Sequence, residues 1–351
     1  MNLKKNQPLA PFTTLGIGGP ALWFAEAASE EEIGEAVAWA RERAMPLFVL
    51  GGGSNLLVSD AGFDGLVLHV RLRGMDVEIG GAAGERVYRA AAGEDWDGLV
   101  SRAVVDGCAG IECLAGIPGT VGGTPVQNVG AYGQEVASVI ERVRVFDLEE
   151  HLFAEFTAAE CGFSYRRSRF NSVDRGRYAV TRVDYRLRPG GAPTIAYPDL
   201  QRAIYASVEA GREPALAEVV AAVRRIRQSK GMLLVDGDPD CRSAGSFFKN
   251  PVVTEGQAQR MAGAGATKLP QFGAGPGLVK VPAAWLIEQA GFKRGYAVGA
   301  AGISSRHTLA LVNRGGATAG EILALAGQIA DAVEARFGIR LEMEPVLVGF
   351  S

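Results

Sequence analysis

Hydrophobic and polar positions alternate along this chain with two distinct periods. A capping box, Ser29-Glu30-Glu31-Glu32, opens a helix running to about Ala44, with Ile33, Val37 and Ala40 on one stripe. An apolar strand at 21–24 precedes it and a buried strand at 46–50 follows, so the first segment reads as a β-α-β unit ending near residue 66. Strands are predicted at 66–70, 77–79 and 87–92. A helix follows over 94–105, turning Trp96, Leu99 and Val100 inward. Residues 143–148, 151–156 and 178–187 alternate as strands do, and 217–228 is an amphipathic helix. Further on, helices are predicted at 283–290, with Pro282 at its start, and at 318–337. The latter carries the stripe Ile322, Leu325, Ile329, Val333, Phe337, a Thr318…Glu321 capping box and Gly338 at C′. Strands at 309–312 and 340–350 complete the pattern.

These elements make an α+β chain. At 351 residues it is too long for one ordinary core. Residues 231–242, with three Asp and a Pro, read as a linker. The division expected is 1–66, 67–234 and 235–337, with the tail 338–351 returning to the second segment. Hydrophobic content of 48% and charge of 21% are those of a soluble globular protein. A net charge of −3 argues against nucleic acid, so an anionic ligand needs a local cluster of cations. Cys108, Cys113, Cys161 and Cys241 form no C-x-x-C, and with three histidines no metal site is expected. They read as reduced thiols in a cytoplasmic protein. No apolar leader and no membrane-length apolar run is visible.

Two glycine-rich stretches stand out. Residues 110–136, GIECLAGIPGTVGGTPVQNVGAYGQEV, hold seven glycines and two prolines and carry no charge between Ala115 and Gly133. The small residues Thr120, Gly122, Gly123 and Thr124 suggest backbone N–H groups facing an anion, with Gln127 and Asn128 adding side-chain bonds. A buried crossover without ligand would have the same composition. Residues 49–60, VLGGGSNLLVSD, place Gly51, Gly52, Gly53, Ser54 and Asn55 after a short strand; no Gly-Lys-Ser/Thr follows, so this is not a P-loop. The GxGG at 16–19 has no preceding strand and is no Rossmann fingerprint.

Together with FSYRRSRF (163–170) and SAGSFFKNP (243–251), these stretches resemble the UDP-N-acetylenolpyruvoylglucosamine reductases, and the resemblance runs from about Thr14 to Val348. It implies a three-domain flavoenzyme. Segments 1–66 and 67–234 would be the two lobes of an FAD-binding region of the vanillyl-alcohol-oxidase/PCMH type, and 235–337 a separate α/β substrate domain. It implies non-covalent FAD, NADPH as hydride donor, and reduction of UDP-N-acetylglucosamine enolpyruvate to UDP-N-acetylmuramate in peptidoglycan precursor synthesis. A monomer with no membrane partner is expected. Pro118, Gly119, Gly130 and Ala131 join the cofactor set on the same ground, and residues 13–20 would touch the flavin.

Ser246 follows Gly245 and precedes two phenylalanines. Phe248 occupies the second glycine's place in G-x-S-x-G, so a hydrolase elbow fails. A hydroxyl there could donate a proton to a substrate carbanion, the role the resemblance gives it; a serine bonded to backbone is the plain alternative. Arg166 offers a planar guanidinium for a carboxylate. Glu342 and Glu344 share a strand face, so spacing does not choose between them. The resemblance selects Glu344, although Met343 stands where the family has proline and Pro345 follows. An ionised Glu344 beside a substrate carboxylate must be protonated or balanced by Arg166. Tyr197, in a Tyr-Pro-Asp turn signal, resembles a loop that folds over substrate. Arg224, Arg225, Arg227 and Lys230 could simply complement a helix C-terminus. The resemblance assigns Arg227, Lys230 and Asn250 to the nucleotide diphosphate, and places His307 where some relatives have glutamine. An FAD-dependent oxidase of the same flavin-domain superfamily and a nucleotide-binding regulatory module are the alternatives; Cys113 is the one residue of the Gly-rich stretches suited to a covalent flavin link.

Overall fold

A computed structural model describes residues 1–80, 84–209, 211–264 and 268–350. Its contacts group the chain into two units: Met1–Gln7, Ala21–Gly53 and Asp64–Gln228 in the first, and Pro8–Pro20, Ser54–Phe63 and Ser229–Ser351 in the second. The expected segments 1–66 and 67–234 fall mostly in the first unit, and 235–337 in the second. Ser351, the last residue of the 338–351 tail, lies outside the described residues.

In the first unit, the helix Glu30–Glu42 buries Ile33, Ala36, Val37 and Ala40, the stripe its period dictates. Ser29 accepts from the Glu32 amide, and the Glu32 carboxylate accepts from Ala28 N–H at 2.7 Å. It packs with a four-stranded sheet ordered Leu3–Pro8, Pro20–Ala27, Phe63–Val70, Leu47–Leu50. The last two are parallel, Leu47 opposite Leu66. An antiparallel sheet follows, ordered Leu152–Thr157, Ile140–Asp147, Tyr178–Pro189, Arg86–Ala91, Met75–Ile79, with Cys108–Ala109 on the end of Tyr178–Pro189. The helix Trp96–Val105, capped by Asp95, places fully buried Trp96, Leu99 and Val100 in this core beside Tyr88 and Tyr185. A short helix, Pro198–Tyr205, was not expected; it buries only Leu200 and Ile204, too few positions for a clear period.

The second unit contains the helices Glu255–Ala264, Ala283–Gln289 and Ala319–Phe337 and two three-stranded antiparallel sheets. Thr318 and Glu321 form the expected box, and Gly338 closes the helix at φ 70°. The Asp60 carboxylate reinforces this N-terminus, accepting from Ala319 N–H (2.8 Å) and Gly320 N–H (3.1 Å). The terminal strand departs from expectation. Val346–Val348 pairs in parallel with Leu56–Val58, Val346 opposite Leu56, and not with the 67–234 segment. An apolar strand states its face but not its partner, which only the course of the chain decides. Residues 231–242, expected as a linker, begin just after the division between the units at Gln228 and Ser229. Asp240 is buried and accepts from the Ser305 amide (2.9 Å) and hydroxyl (2.6 Å), which fastens this stretch to the second unit. Among the described residues no helix is long and apolar enough to cross a membrane, and no cluster of His, Cys, Asp and Glu could hold a metal ion.

Candidate active site

The two glycine-rich stretches meet in the first unit. A Cβ on Gly52 would lie 2.5 Å from Gly119 Cα and 2.8 Å from the Thr120 nitrogen, so only glycine permits this approach. A Cβ on Gly51 would lie 3.1 Å from Thr120 Oγ1. That hydroxyl is buried and has no hydrogen-bond partner among the described residues. Such an atom costs stability unless a ligand meets it. The N–H groups of Gly52 and Gly53 likewise carry no hydrogen bond among the described residues, and Gly123 faces open space. A polar, glycine-walled cradle of this kind fits a dinucleotide.

Parts of the expected cofactor set do other work. The N–H groups of Val121, Gly122, Gly123 and Thr124 donate to the carbonyls of Glu94, Ala92, Thr120 and Val121 at 2.8–3.0 Å. These amides are committed to a 3-10 turn and its neighbours, so the anion nest expected of them is not free. Close packing is the reason: a Cβ on Gly122 would meet Ala92 Cβ at 2.7 Å. The Thr124 hydroxyl is buried against Tyr185 Oη at 2.6 Å. Asn128 is buried at φ 47°; its Nδ2 donates to Glu135 Oε2 (2.8 Å) and the Ser164 carbonyl (3.0 Å), and its Oδ1 accepts from Ala137 N–H (3.1 Å). Its side chain supports the loop. Pro118 and Gly119 border the contact with Gly52. Gly130 and Ala131 pair with Glu135 and Gln134 across a two-residue turn, Tyr132 (φ 50°) and Gly133 (φ 90°). Cys113 is fully buried, its S–H donates to the Thr194 carbonyl at 3.0 Å, and burial pushes its thiol far above the ordinary range, so it is unsuited to a flavin link.

Arg166 occupies a tight turn in the same unit. Ser164 and Arg167 exchange backbone hydrogen bonds at 2.9 and 3.0 Å, leaving Tyr165 and Arg166 at the tip. Arg166 has φ 56°, an uncommon conformation for a long side chain and one found disproportionately at functional sites. Its Nη2 donates to the Gly130 carbonyl at 2.8 Å. Arg227 does not cap the helix Leu216–Ser229. It turns inward, 9% exposed, with Nε donating to the Gly116 carbonyl at 3.1 Å, and burial lowers its pKa. Arg224 pairs with Asp97 instead, and Arg225 is exposed. Tyr197 precedes the helix Pro198–Tyr205 and stacks edge-on against Tyr132 at 5.7 Å. Nothing local in the sequence pairs Tyr132 with Tyr197; that contact comes from the fold.

The second unit carries the remaining candidates. Ser246 is half-buried, between Gly245 at φ 71° and the fully buried Phe247, which packs edge-on against Phe248 at 5.5 Å. Among the described residues its hydroxyl makes no hydrogen bond, unlike a serine placed to satisfy backbone. Met343 bridges Phe248, and Glu344 N–H donates to the Phe247 carbonyl at 2.9 Å. Glu342 is exposed and pairs with Lys249, whereas Glu344 is half-buried. Asn55, expected at the cofactor, donates through Nδ2 to the Glu344 carbonyl at 3.2 Å. The Ser54 carbonyl accepts from the Thr14 hydroxyl at 3.3 Å, and Thr14 also bonds the Ser243 carbonyl at 2.7 Å. Asn250 Oδ1 accepts from Ala283 N–H at 2.9 Å and so caps a helix. His307 Nδ1 accepts from Leu309 N–H at 3.0 Å. Lys230 is half-buried.

Comparison with known proteins gives these features a context. An FAD binding domain model matches residues 21–152, which span both glycine-rich stretches, and the class this defines is a flavin-binding protein of α+β fold. A model described as the C-terminal domain of UDP-N-acetylenolpyruvoylglucosamine reductase matches residues 238–348. The reductase of Thermobifida fusca is 46% identical over 98% of each chain, and that of Streptomyces coelicolor 45% identical over 97% of this chain and 89% of its own. The crystal structure of the reductase from Thermus caldophilus superposes with a TM-score of 0.65 at 28% identity, covering 99% and 98% of the two chains. The chain belongs to the UDP-N-acetylenolpyruvoylglucosamine reductase family.

Proposed function

We propose that this protein reduces UDP-N-acetylglucosamine enolpyruvate to UDP-N-acetylmuramate with NADPH as reductant, a cytoplasmic step of peptidoglycan precursor synthesis. The full-length relationship to the reductases supports the overall reaction. The observation in this chain that carries the chemistry is the Ser246 hydroxyl, which makes no hydrogen bond among the described residues. When bound, FAD supplies hydride transfer between NADPH and C3 of the enolpyruvyl group. Thr120 Oγ1 and the Gly52 and Gly53 amides are the donors proposed to hold the cofactor, with Gly51, Pro118, Gly119 and Gly123 giving close approach. Hydride addition at C3 leaves carbanion character at C2 of the substrate. Arg166 binds the adjacent carboxylate and disperses that charge, Glu344 assists as its protonated acid by donating a hydrogen bond, and Ser246 donates the proton to C2. Arg227 and Lys230 meet the diphosphate, and Tyr197 covers the substrate. Asn250 and His307 are the further substrate-binding candidates, both carried by the second unit.

The deciding experiment is anaerobic. NADPH should bleach the flavin band of the purified protein, and the enolpyruvyl substrate should restore it. Restoration by oxygen but not by this substrate would instead establish an oxidase.

A further inference from the structure

The residues around Arg166 are tied to the loop 126–130 at three places, and these ties carry an inference that rests on the carboxylate-binding reading of Arg166. Asn128 Nδ2 donates to the Ser164 carbonyl (3.0 Å), the first residue of the Arg166 turn. The Ser168 hydroxyl, on the far side of the turn, donates to the Val126 carbonyl (2.7 Å). Arg166 Nη2 itself donates to the Gly130 carbonyl (2.8 Å). A Cβ on Gly130 would lie 2.6 Å from Glu135 Cγ and 3.4 Å from Arg166 Nη1, so the guanidinium lies close against this backbone. Asn171 Nδ2 holds the Arg166 carbonyl from within its own segment (3.1 Å).

We propose that Asn128 is a positioning residue for Arg166. The turn tip has an unfavoured backbone at φ 56°, which persists only where its surroundings over-determine it. Asn128 suits the task because its own φ of 47° is one that asparagine tolerates, and because one amide group bonds three partners at once. Its Oδ1 holds Ala137, while Nδ2 divides between Glu135 and Ser164. The bond to Ser164 sets the height of the turn, and the Gly130 carbonyl then fixes the direction of the guanidinium. An Arg166 displaced by an ångström would still be charged but would no longer meet a carboxylate with two parallel hydrogen bonds.

The test uses the flavin-loaded enzyme and UDP-N-acetylglucosamine enolpyruvate. Asn128→Asp keeps the shape and the acceptor for Ala137 but removes the donor to Ser164, and it sets two carboxylates against each other at Glu135. Adding Glu135→Gln relieves that repulsion without restoring the donor to Ser164, so the double variant carries the comparison if the single one does not fold. The double variant should melt below the parent, because a buried carboxylate then faces the Ser164 carbonyl, but it should still reduce its flavin with NADPH at the parental rate. Its KM for the enolpyruvyl substrate should rise roughly ten- to hundredfold. Adding Arg166→Lys should cost little more, because both changes remove one interaction. An unchanged KM in the double variant, with a raised KM in Arg166→Lys alone, would overturn the positioning role while keeping the reading of Arg166. No effect of Arg166→Lys on substrate would overturn both. Equal losses in the two half-reactions would make Asn128 a structural residue only.

Discussion

The backbone amide of Glu344 donates to the carbonyl of Phe247 at 2.9 Å, which holds this acidic residue opposite the residue that follows Ser246. Glu342, two positions earlier, is spent on Lys249 at the surface. Glu344→Gln should therefore slow flavin reoxidation by substrate about tenfold or more, while Glu342→Gln should leave it unchanged and alter stability by less than about 1 kcal/mol. Stopped-flow rates and thermal melts of the two variants check this. The reverse ranking would move the acidic role to Glu342.

Ser246→Ala separates the half-reactions. Flavin reduction by NADPH needs no proton donor at C2 and should persist. Reoxidation by substrate should fall about 10²–10⁴-fold, the usual contribution of a general acid. Because the hydroxyl has no hydrogen bond among the described residues, the melting temperature should hardly move. Ser246→Cys should recover part of the rate. Equal loss in both half-reactions would remove Ser246 from the chemistry.

Glycines 122 and 123 adjoin but should respond differently to valine. At Gly122 a Cβ meets Ala92 at 2.7 Å, so Gly122→Val should destabilise the fold by about 1–3 kcal/mol whatever the cofactor does. At Gly123 nothing lies within 4 Å, so Gly123→Val should fold normally and purify with little flavin. The absorbance ratio of flavin to protein, read beside a thermal melt, tests the pair. Full flavin content in Gly123→Val would place the cofactor elsewhere.

Asp240 predicts an acid limb in the stability of the second unit. Burial alone would raise its carboxyl, but the Ser305 hydroxyl and amide, Ser304 and Arg306 outweigh burial and hold it below the ordinary value. A carboxyl depressed in the folded state adds stability that is fully present above its unfolded pKa of about 3.9 and is lost as pH falls through the folded value. Asp240→Asn should thus lower stability near neutrality and flatten the decline below about pH 4. Parallel denaturation curves for parent and variant across that range would count against this.

Local sequence determined much of the secondary structure. The caps at Ser29 and Thr318, the stripe from Ile322 to Phe337 and the alternation at 178–187 each state a period and an end, and a few neighbouring residues suffice for that. The two glycine-rich stretches were also legible, because an uncharged run of that length is unusual. Candidate residues such as Ser246 and Arg166 were named through motif resemblance, since the chemistry of a lone serine or arginine is not written in its neighbours. Tertiary structure decided what each group does. It put Gly52 against Gly119, a contact between distant stretches that no local pattern encodes. It committed the amides of 121–124 and the side chain of Asn128 to internal bonds, and left Thr120 Oγ1 without one among the described residues. It gave Glu342 to Lys249, and it paired the last strand with Leu56–Val58. The physical reason is common to all of these. A hydrogen-bonding group's availability depends on which partners the folded chain brings within about 3 Å, and those partners come from anywhere in the sequence.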